Sequence, residues 1–332
     1  MLIWLQFAIC TVVIVYGGSR LSHYGDVIAE KTGMGRTWIG VILMASATSL
    51  PELFTGISSV AIFNSPNIAA GDVLGSCMFN LLILAMLDVG RRVAPISTLA
   101  HQGQILTASF GVLLLGLTTL GLLAGHSIPS LGWIGLYSLV IPLVYLGAMR
   151  LIFIYEKRRI AEFLSEVKEE ARYDQISKTV AYRRFFVFAV IIVVAATYLP
   201  YVADQLAAIT GLGRTFVGSI LVALSTSLPE IVVGRAALKM GAVDLAVGNV
   251  LGSNLFNLLI LAIDDVFFLK GPLLSSVSPT HTVTACAAII MTAITIIALM
   301  YRSKKRVLFF SWDSIGVFLV YALTVLMLYL KR

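Results

Sequence analysis

The sequence predicts an all-α integral membrane protein whose ten transmembrane helices form two inverted five-helix repeats. Three observations predict it: the composition, a series of ten apolar runs, and two copies of one motif. Of the 332 residues, 59% are hydrophobic and only 12% are charged, whereas a soluble domain has roughly a quarter of its residues charged. This composition excludes a water-soluble globule.

The apolar runs match the length of membrane-spanning helices, because about 20 helical residues cross a hydrocarbon core of about 30 Å. The first run has no basic segment before it and no convincing cleavage context, so we interpret it as a true span and not as a signal peptide. The runs lie at about 2–18, 37–63, 67–87, 103–124, 130–154, 185–203, 215–238, 243–263, 282–300 and 307–330.

The positions of Lys and Arg predict the orientation in the membrane. If the N-terminus is outside, the inner loops hold 20 of the 24 basic residues, as expected from their enrichment in inner loops. We therefore expect both termini outside. The compact loops and the lack of a transit peptide indicate a prokaryotic plasma membrane. The net charge of +7 is then explained by the basic residues of the inner loops, and no nucleic-acid partner is expected.

A single long polar stretch, 156–184, lies midway along the chain on the expected inner side. Its charges are of mixed sign, which is typical of a solvated linker; a short amphipathic helix on the membrane surface is the alternative. The linker divides the chain into a first half, 1–155, and a second half, 185–332, of five spans each.

The two halves repeat each other. Residues 33–52 (GMGRTWIGVILMASATSLPE) match 211–230 (GLGRTFVGSILVALSTSLPE) at 13 of 20 positions, and GDVLGSCMFNLLIL from Gly71 matches GNVLGSNLFNLLIL from Gly248 at 11 of 14. The first repeat covers about 33–87 and the second about 211–264. Because each half has an odd number of spans, the second enters the membrane from the opposite side, and the repeats are inverted.

The repeat places Glu52 and Glu230 at equivalent positions inside apolar spans. An ionised carboxylate at that depth costs at least about 2.5 to 3.5 kcal/mol, so it needs a cation, a proton or a water-filled cavity. A protonated Glu hydrogen-bonded within the bundle is the alternative for either residue alone. Inverted symmetry brings the two together, and like charges without a cation would repel.

Pro51 and Pro229 come directly before the two glutamates. A proline within a helix lacks an N–H and frees carbonyl oxygens about one turn earlier. Carboxylates, hydroxyls and loose carbonyls are hard oxygen donors suited to calcium or sodium. The hydroxyls on the same turns belong to Thr48, Ser49, Thr226 and Ser227.

The second motif block adds a hydroxyl and an amide in each half. Ser76 and Asn80 are four residues apart, as are Ser253 and Asn257, so each pair shares one helix face. Their oxygens are candidates to complete a cation shell, and hydrogen bonding between packed helices is the alternative. The GxxxG glycines of this block, which indicate close helix packing, are Gly71, Gly75, Gly248 and Gly252.

Three further aspartates lie within or at the ends of the repeated spans. Asp72 stands where the second repeat has Asn249, so it is an additional candidate for the site. Asp88 and Asp265 also match each other, but they fall at span ends, where we expect them to be solvated.

Cysteines and catalytic motifs give no sign of an enzyme. Cys10, Cys77 and Cys286 lie far apart in apolar stretches, where we expect them to be buried and reduced, with no metal site. The hydrolase and nucleotide-binding motifs HExxH, GxSxG and the phosphate loop do not occur. We expect neither an enzyme nor a cofactor.

These residues resemble the sodium/calcium exchanger family of the calcium/cation antiporter superfamily, whose two alpha repeats carry TSLPE followed by GNxxGSNxxN or a close variant. The resemblance implies an antiporter that exports calcium against inward sodium by alternating access, with spans 1 and 6 sliding against the rest. It implies that Glu52 and Glu230 bridge calcium. It further implies backbone oxygens from Thr48 and Thr226, sodium sites made by Ser49, Ser227, Ser76, Ser253, Asn80 and Asn257, and carbonyl contributions from Ala45 and Ala223.

The chain departs from the family pattern at the centre. Better-known members carry an Asp at one of the positions held here by Asn80 and Asn257, and usually an Asn where this chain has Asp72. Calcium binding survives, because two glutamates neutralise one calcium ion. The counter-ion is expected to be sodium, with a proton or potassium as the alternative.

Two other classes of function fit the sequence less well. In a cation channel the same oxygens would form a selectivity filter, but inverted repeats in one chain favour a site closed alternately on each side. An intramembrane hydrolase lacks a His cluster or a nucleophile triad. The expected partners are calcium and sodium ions and the lipid bilayer, with no obligatory protein partner and, in so short a linker, no calcium-sensing domain.

Overall fold

The computed structural model describes residues 2–32, 45–89, 94–127, 129–163, 175–239, 241–307 and 309–331. Within these ranges, nine helices are long and apolar enough to cross a membrane. The first part of the second expected span, 37–63, and part of the expected linker lie outside the described residues.

The described chain is almost entirely helical, with two short antiparallel hairpins. A π-helical turn lies at Val217–Val222, and single 3-10 turns lie at Gly125–Ser127 and Leu273–Ser275. The strands are β1 (Ser130–Leu131), β2 (Ile134–Gly135), β3 (Arg306–Val307) and β4 (Phe310–Ser311), with Ser130 opposite Gly135 and Arg306 opposite Ser311. The helices are α1 (Leu2–Thr32), α2 (Leu50–Ala61), α3 (Pro66–Asp88), α4 (Ile96–Leu99), α5 (Gly103–Ala124), α6 (Tyr137–Phe163), α7 (Lys178–Thr210), α8 (Arg214–Phe216), α9 (Ala223–Lys239), α10 (Val243–Phe267), α11 (His281–Tyr301) and α12 (Trp312–Leu330).

The first helix is much longer than the apolar run that predicts it. Its 31 residues extend about 46 Å at about 1.5 Å per residue, which exceeds the hydrocarbon thickness. Hydropathy marks only the apolar part, and the polar end is held by α7, where Arg184 donates to the Tyr24 hydroxyl at 2.5 Å. The fifth span begins later than the apolar run at 130–154 predicts. Helix α6 starts at Tyr137, because the residues before it form the β1–β2 hairpin.

The bundle has two ends, and we call the one that contains the α2–α3 turn (residues 62–65) the upper end. The end of α7 lies there, because the Ser65 hydroxyl donates to Asp204 at 3.3 Å. The start of α1 packs against this part of α7. The last turn of α12 is also there, since the ring of Tyr329 packs against that of Phe216, with 6.1 Å between the ring centroids. Both ends of the described chain therefore lie at the upper end.

Helices α3 and α10 form the centre of the bundle. Residues 68–85 of α3 are all buried, and most of α10 is buried as well. Helices α1, α6 and α12 lie at the periphery and expose most of their apolar windows. Side chains of α3 and α10 are thus shielded from the surroundings by the other helices.

Asp88 and Asp265 are buried, so the expectation that they are solvated was wrong. They are 2% and 0% exposed. Asp88 accepts the N–H of Ile96 at 2.6 Å, and Asp265 accepts that of Leu273 at 2.5 Å, eight residues on in each case. The chain folds back over each helix end, and the backbone donors that this buries need an acceptor.

Each half also anchors a turn of the other half. Asn67 accepts the N–H of Ser278 at 2.6 Å, and Asp244 accepts the N–H of His101 at 2.6 Å. Asn67 and Asp244 are equivalent in the sequence repeat, and so are His101 and Ser278. Equivalent residues therefore make equivalent contacts across the two halves.

The cysteine expectation is confirmed for two residues and wrong for the third. All three cysteines are free; Cys10 and Cys77 are buried, but Cys286 is exposed. It lies on the outward side of α11. The sequence could not show this, because the core-facing and lipid-facing sides of a membrane helix are equally apolar.

The GxxxG glycines of α3 allow a backbone-to-backbone approach, as predicted. A Cβ on Gly71 would lie 2.9 Å from the Gly218 Cα, and one on Gly75 would lie 2.7 Å from the Ser219 Cα. Both partners belong to the π-helical turn before α9. Small residues at this crossing therefore hold α3 directly against the span that carries Glu230.

Gly75→Ala is expected to destabilise the protein strongly, because the backbone of Ser219 cannot move aside as a flexible side chain would. Overpacking of this kind costs about 1–3 kcal/mol or more. The measurement is thermal unfolding of the detergent-purified protein. The control is Gly116→Ala on α5, where a Cβ meets nothing within 4 Å; equal melting temperatures for the two variants would contradict the close approach.

Tyr137→Phe is expected to lower the free energy of unfolding by about 1–3 kcal/mol. The Tyr137 hydroxyl donates to Asp265 at 2.7 Å and accepts the N–H of Leu274 at 2.9 Å, so its removal leaves a buried donor unpaired. The same unfolding assay measures it. Tyr145→Phe, on the same helix but in the apolar core, is the control and should change stability less.

Candidate functional site

The two motif segments are irregular where they approach each other. Residues 45–48 are helical, Ser49 interrupts the helix, and α2 resumes at Leu50. Because Pro51 and Pro229 have no N–H, the carbonyls of Ala47 and Ser225 lack the helix donor four residues on. The π-helical turn before α9 is a second irregularity, of a kind frequent at functional sites.

Glu52 and Glu230 are both completely buried. Ser227 donates to Glu52 Oε1 at 3.2 Å, and Ser253 donates to Glu230 Oε1 at 3.3 Å. The Oε2 atom of each glutamate has no hydrogen-bond partner. Each carboxylate is thus oriented by one serine and keeps one oxygen free.

The motif threonines each reach a serine of the other half. The hydroxyls of Thr48 and Ser253 lie 3.4 Å apart, and those of Thr226 and Ser76 also lie 3.4 Å apart. These two contacts join equivalent pairs of residues. The site is therefore built jointly by the two halves.

Asp72 lies beside the site and makes it asymmetric. It is completely buried, and its Oδ1 accepts the Thr226 hydroxyl at 2.8 Å, while its Oδ2 has no partner. Both side-chain amide atoms of the equivalent Asn249 are buried without a partner. One half therefore presents a carboxylate where the other presents an amide.

Asn80 and Asn257 are also buried, with acceptor oxygens that no donor satisfies. Asn80 is held by Asn254, whose Oδ1 accepts its amide N–H at 3.0 Å. The amide of Asn254 in turn donates to the Cys77 carbonyl at 3.1 Å, and the Cys77 thiol faces the Asn254 carbonyl at 3.8 Å. Asn254 was not among the expected site residues, although its mismatch with Cys77 in the sequence repeat is a visible signal.

The remaining expected residues lie on the same helical turns. Ser49 is buried and its hydroxyl is unpartnered. The Ala45 carbonyl accepts the Ser49 N–H at 3.0 Å and the Thr48 hydroxyl at 3.2 Å, and the Ala223 carbonyl accepts the Thr226 hydroxyl at 3.3 Å. In this conformation both alanine carbonyls are engaged within their own helices.

The unpartnered oxygens suggest what the centre accommodates. Buried polar atoms in native proteins nearly always have a partner, so a group of unsatisfied oxygens is a place for a ligand, and hard oxygens suit a hard cation. Nowhere in the described residues do three or more His, Cys, Asp or Glu side chains gather around one metal position; hydroxyls and amides would supply most of the ligands. The free oxygens of the expected site residues are Glu52 Oε2, Glu230 Oε2, Ser49 Oγ, Asp72 Oδ2, Asn80 Oδ1 and Asn257 Oδ1, and Asn249 Oδ1 is unpartnered as well.

A bundle of membrane-spanning helices around a buried group of oxygen donors is the architecture of a membrane ion transporter. The chain belongs to the sodium/calcium exchanger family: the family model described as "Sodium/calcium exchanger protein" matches residues 2–153 and 181–330. The family that the motifs resemble is thereby confirmed.

One curated protein and two solved structures are similar over most of the chain. The chain is 26% identical to the inner membrane protein YrbG of Escherichia coli over 258 residues, which cover 75% of this chain and 74% of that protein. A structure of the sodium-calcium exchanger NCX_Mj aligns over 98% of both chains with a TM-score of 0.61 and 20% identity. The H+/Ca2+ exchanger CAX covers 99% of this chain and 86% of its own, with a TM-score of 0.70 and 11% identity. These structures share its helical membrane fold.

Thr226→Val is expected to destabilise the protein more than Thr48→Val does. The first substitution removes a 2.8 Å hydrogen bond to the Asp72 carboxyl group, worth about 1.5–3 kcal/mol, whereas the hydrogen bonds of the Thr48 hydroxyl are longer, at 3.2 and 3.4 Å, and are worth about 1 kcal/mol. Melting temperatures of the purified variants measure the difference. Equal losses would show that the Asp72 bond adds nothing.

Proposed function

We propose that this protein exports calcium in exchange for sodium by alternating access. The observation that carries the proposal is the pair of fully buried glutamates, each oriented by one serine hydroxyl and each with a free oxygen. Two carboxylates out of water need a compensating charge, and one calcium ion supplies it. The proposed setting is a prokaryotic plasma membrane, with both termini, and hence the upper end, outside.

In the proposed site, Glu52 and Glu230 bridge the calcium ion from opposite halves. Calcium takes six to eight oxygen ligands, so the two carboxylates need help from backbone oxygens of Thr48 and Thr226. The flanking oxygens would bind sodium when calcium has left. Those are contributed by Ser49, Ser227, Ser76, Ser253, Asn80 and Asn257, with the carbonyls of Ala45 and Ala223, and with Asp72 as a further candidate.

Alternating access follows from the proposed architecture of ten spans in two inverted halves, 1–155 and 185–332, joined by the linker 156–184. The equivalent contacts of Asn67 and Asp244 across the halves support it. The sliding element would be α1 with α7, which pack along each other at the periphery of the bundle. Their movement would open the site to one side at a time.

The names of the structural relatives agree on calcium but differ in the counter-ion. NCX_Mj is a sodium-calcium exchanger and CAX is an H+/Ca2+ exchanger. Proton coupling is the second candidate for this chain. Both Asn80 and Asn257 are amides, so the centre has one negatively charged ligand fewer for sodium than in family members with an Asp at one of these positions. In that case Glu52 and Glu230 would each carry a proton in exchange.

Calcium-45 uptake into proteoliposomes preloaded with sodium, potassium or acidic buffer tests the proposal. We expect uptake with internal sodium, and a loss of at least about 100-fold in Glu52→Gln and in Glu230→Gln, because either change removes half of the compensating charge. Uptake driven by the acidic interior would establish proton coupling instead.

The control for the glutamate variants is Asp204→Asn, which alters a carboxylate at the upper end that pairs with Arg214. It should transport normally. Full transport by either Gln variant, or uptake without any gradient, would refute the proposed site.

A further inference from the structure

Asp264, near the upper end of α10, is a buried carboxylate that the site above does not use. It is 0% exposed, and neither of its oxygens has a hydrogen-bond partner. Its side chain lies against Gly56 of α2, where a Cβ would come within 2.7 Å of the Asp264 Cγ. Glycine therefore makes the room that this carboxylate occupies.

The position of Asp264 continues the polar faces of the site toward the upper end. It follows Asn257 by seven residues, or about two turns, on the same face of α10. Gly56 follows Glu52 by one turn on α2, and the Ser59 hydroxyl beyond it is buried and unpartnered. Asp264 therefore lies about one turn beyond Glu52, on the side of the upper end.

The repeat shows that packing does not require a carboxylate here. Asp264 is equivalent to Leu87, and Gly56 to Gly234. The Leu87 Cδ1 lies 2.6 Å from the Cβ position of Gly234, so the same contact exists in the other half with a leucine. The carboxylate is an addition to a contact that an apolar side chain satisfies.

Asp72 lies on the same side of the centre, one turn above Ser76 on α3. It is completely buried, and its Oδ2 has no hydrogen-bond partner, so it also presents a free carboxyl oxygen. The equivalent positions on the lower side hold Asn249 and Leu87. At these two positions the upper approach thus has buried carboxylates, where the lower approach has an amide and a leucine.

We propose that Asp264, together with Asp72, forms an accessory binding site for a hard cation on the upper approach to the glutamate pair. The inference rests on the proposed function, because it assigns a path to the ion bound at the centre. A cation compensates the two carboxylates, and they lower its energy on the way to or from the upper face. Calcium should therefore bind from the upper face with higher apparent affinity than from the lower face.

Sided transport tests this site with Asp264→Leu and Asp264→Asn in right-side-out and inverted membrane vesicles. Leucine already fills the equivalent position, so the first variant is expected to fold. We expect the calcium concentration for half-maximal transport to rise about tenfold at the upper face, as when a carboxylate behind the direct ligands is lost, and to stay unchanged at the lower face. Leu87→Asp should lower that concentration at the lower face only.

A binding measurement separates this inference from the proposed function. Calorimetric titration of calcium into Glu52→Gln/Glu230→Gln should show a residual weak binding event, which Asp264→Leu abolishes. If the glutamate variants transport normally, the proposed function fails, while this titration still decides on Asp264. Unchanged half-saturation at the upper face, equal changes at both faces, or no residual binding would overturn the accessory site.

Discussion

The cost of holding two carboxylates away from water is the constraint on which the rest of this structure depends. Glu52 and Glu230 are fully buried in a helical bundle whose composition is otherwise that of a membrane interior. Their surroundings supply what water would have supplied. Serine hydroxyls donate to them, and the packing of the bundle leaves neither glutamate exposed. The close approach at Gly71 and Gly75 holds α3 against the span of Glu230, where the hydroxyls of Ser76 and Thr226 lie 3.4 Å apart.

The same requirement governs the ends of the bundle, although the groups to be satisfied there are backbone amides. Asp88 and Asp265 receive the N–H groups of chain that folds back over the helices, and Asn67 and Asp244 hold a turn of the opposite half. These side chains hold the centre of the bundle as a frame, against which the peripheral pair α1 and α7 would slide in the proposed cycle.

Much of the fold and of the site could be predicted, because the repeat carries information that composition does not. A proline next to a glutamate, present twice at equivalent positions, marked the residues that the structure buries together. The failures concern information that is absent from local sequence. Asp88 and Asp265 were expected to be solvated because their burial depends on how distant turns fold. The exposure of Cys286 depends on which face of α11 meets the bundle. The alignment of Asp264 with Leu87 in the repeat was visible in the sequence, but its burial against Gly56 was not.

The contact between Cys77 and Asn254 differs in kind from the others at the centre. These two residues are equivalent, and each faces the backbone of the other. In the proposed cycle, the two halves exchange their conformations, so that a contact between non-equivalent residues is converted into its counterpart. A contact between equivalent residues is converted into itself. In the proposed two-repeat architecture it would lie on the pseudo-twofold axis and keep nearly the same geometry through the cycle. The crossing of α3 and α10 at this point would then be the pivot of the exchange, and the distance across it an internal reference for spectroscopic measurements of the motion.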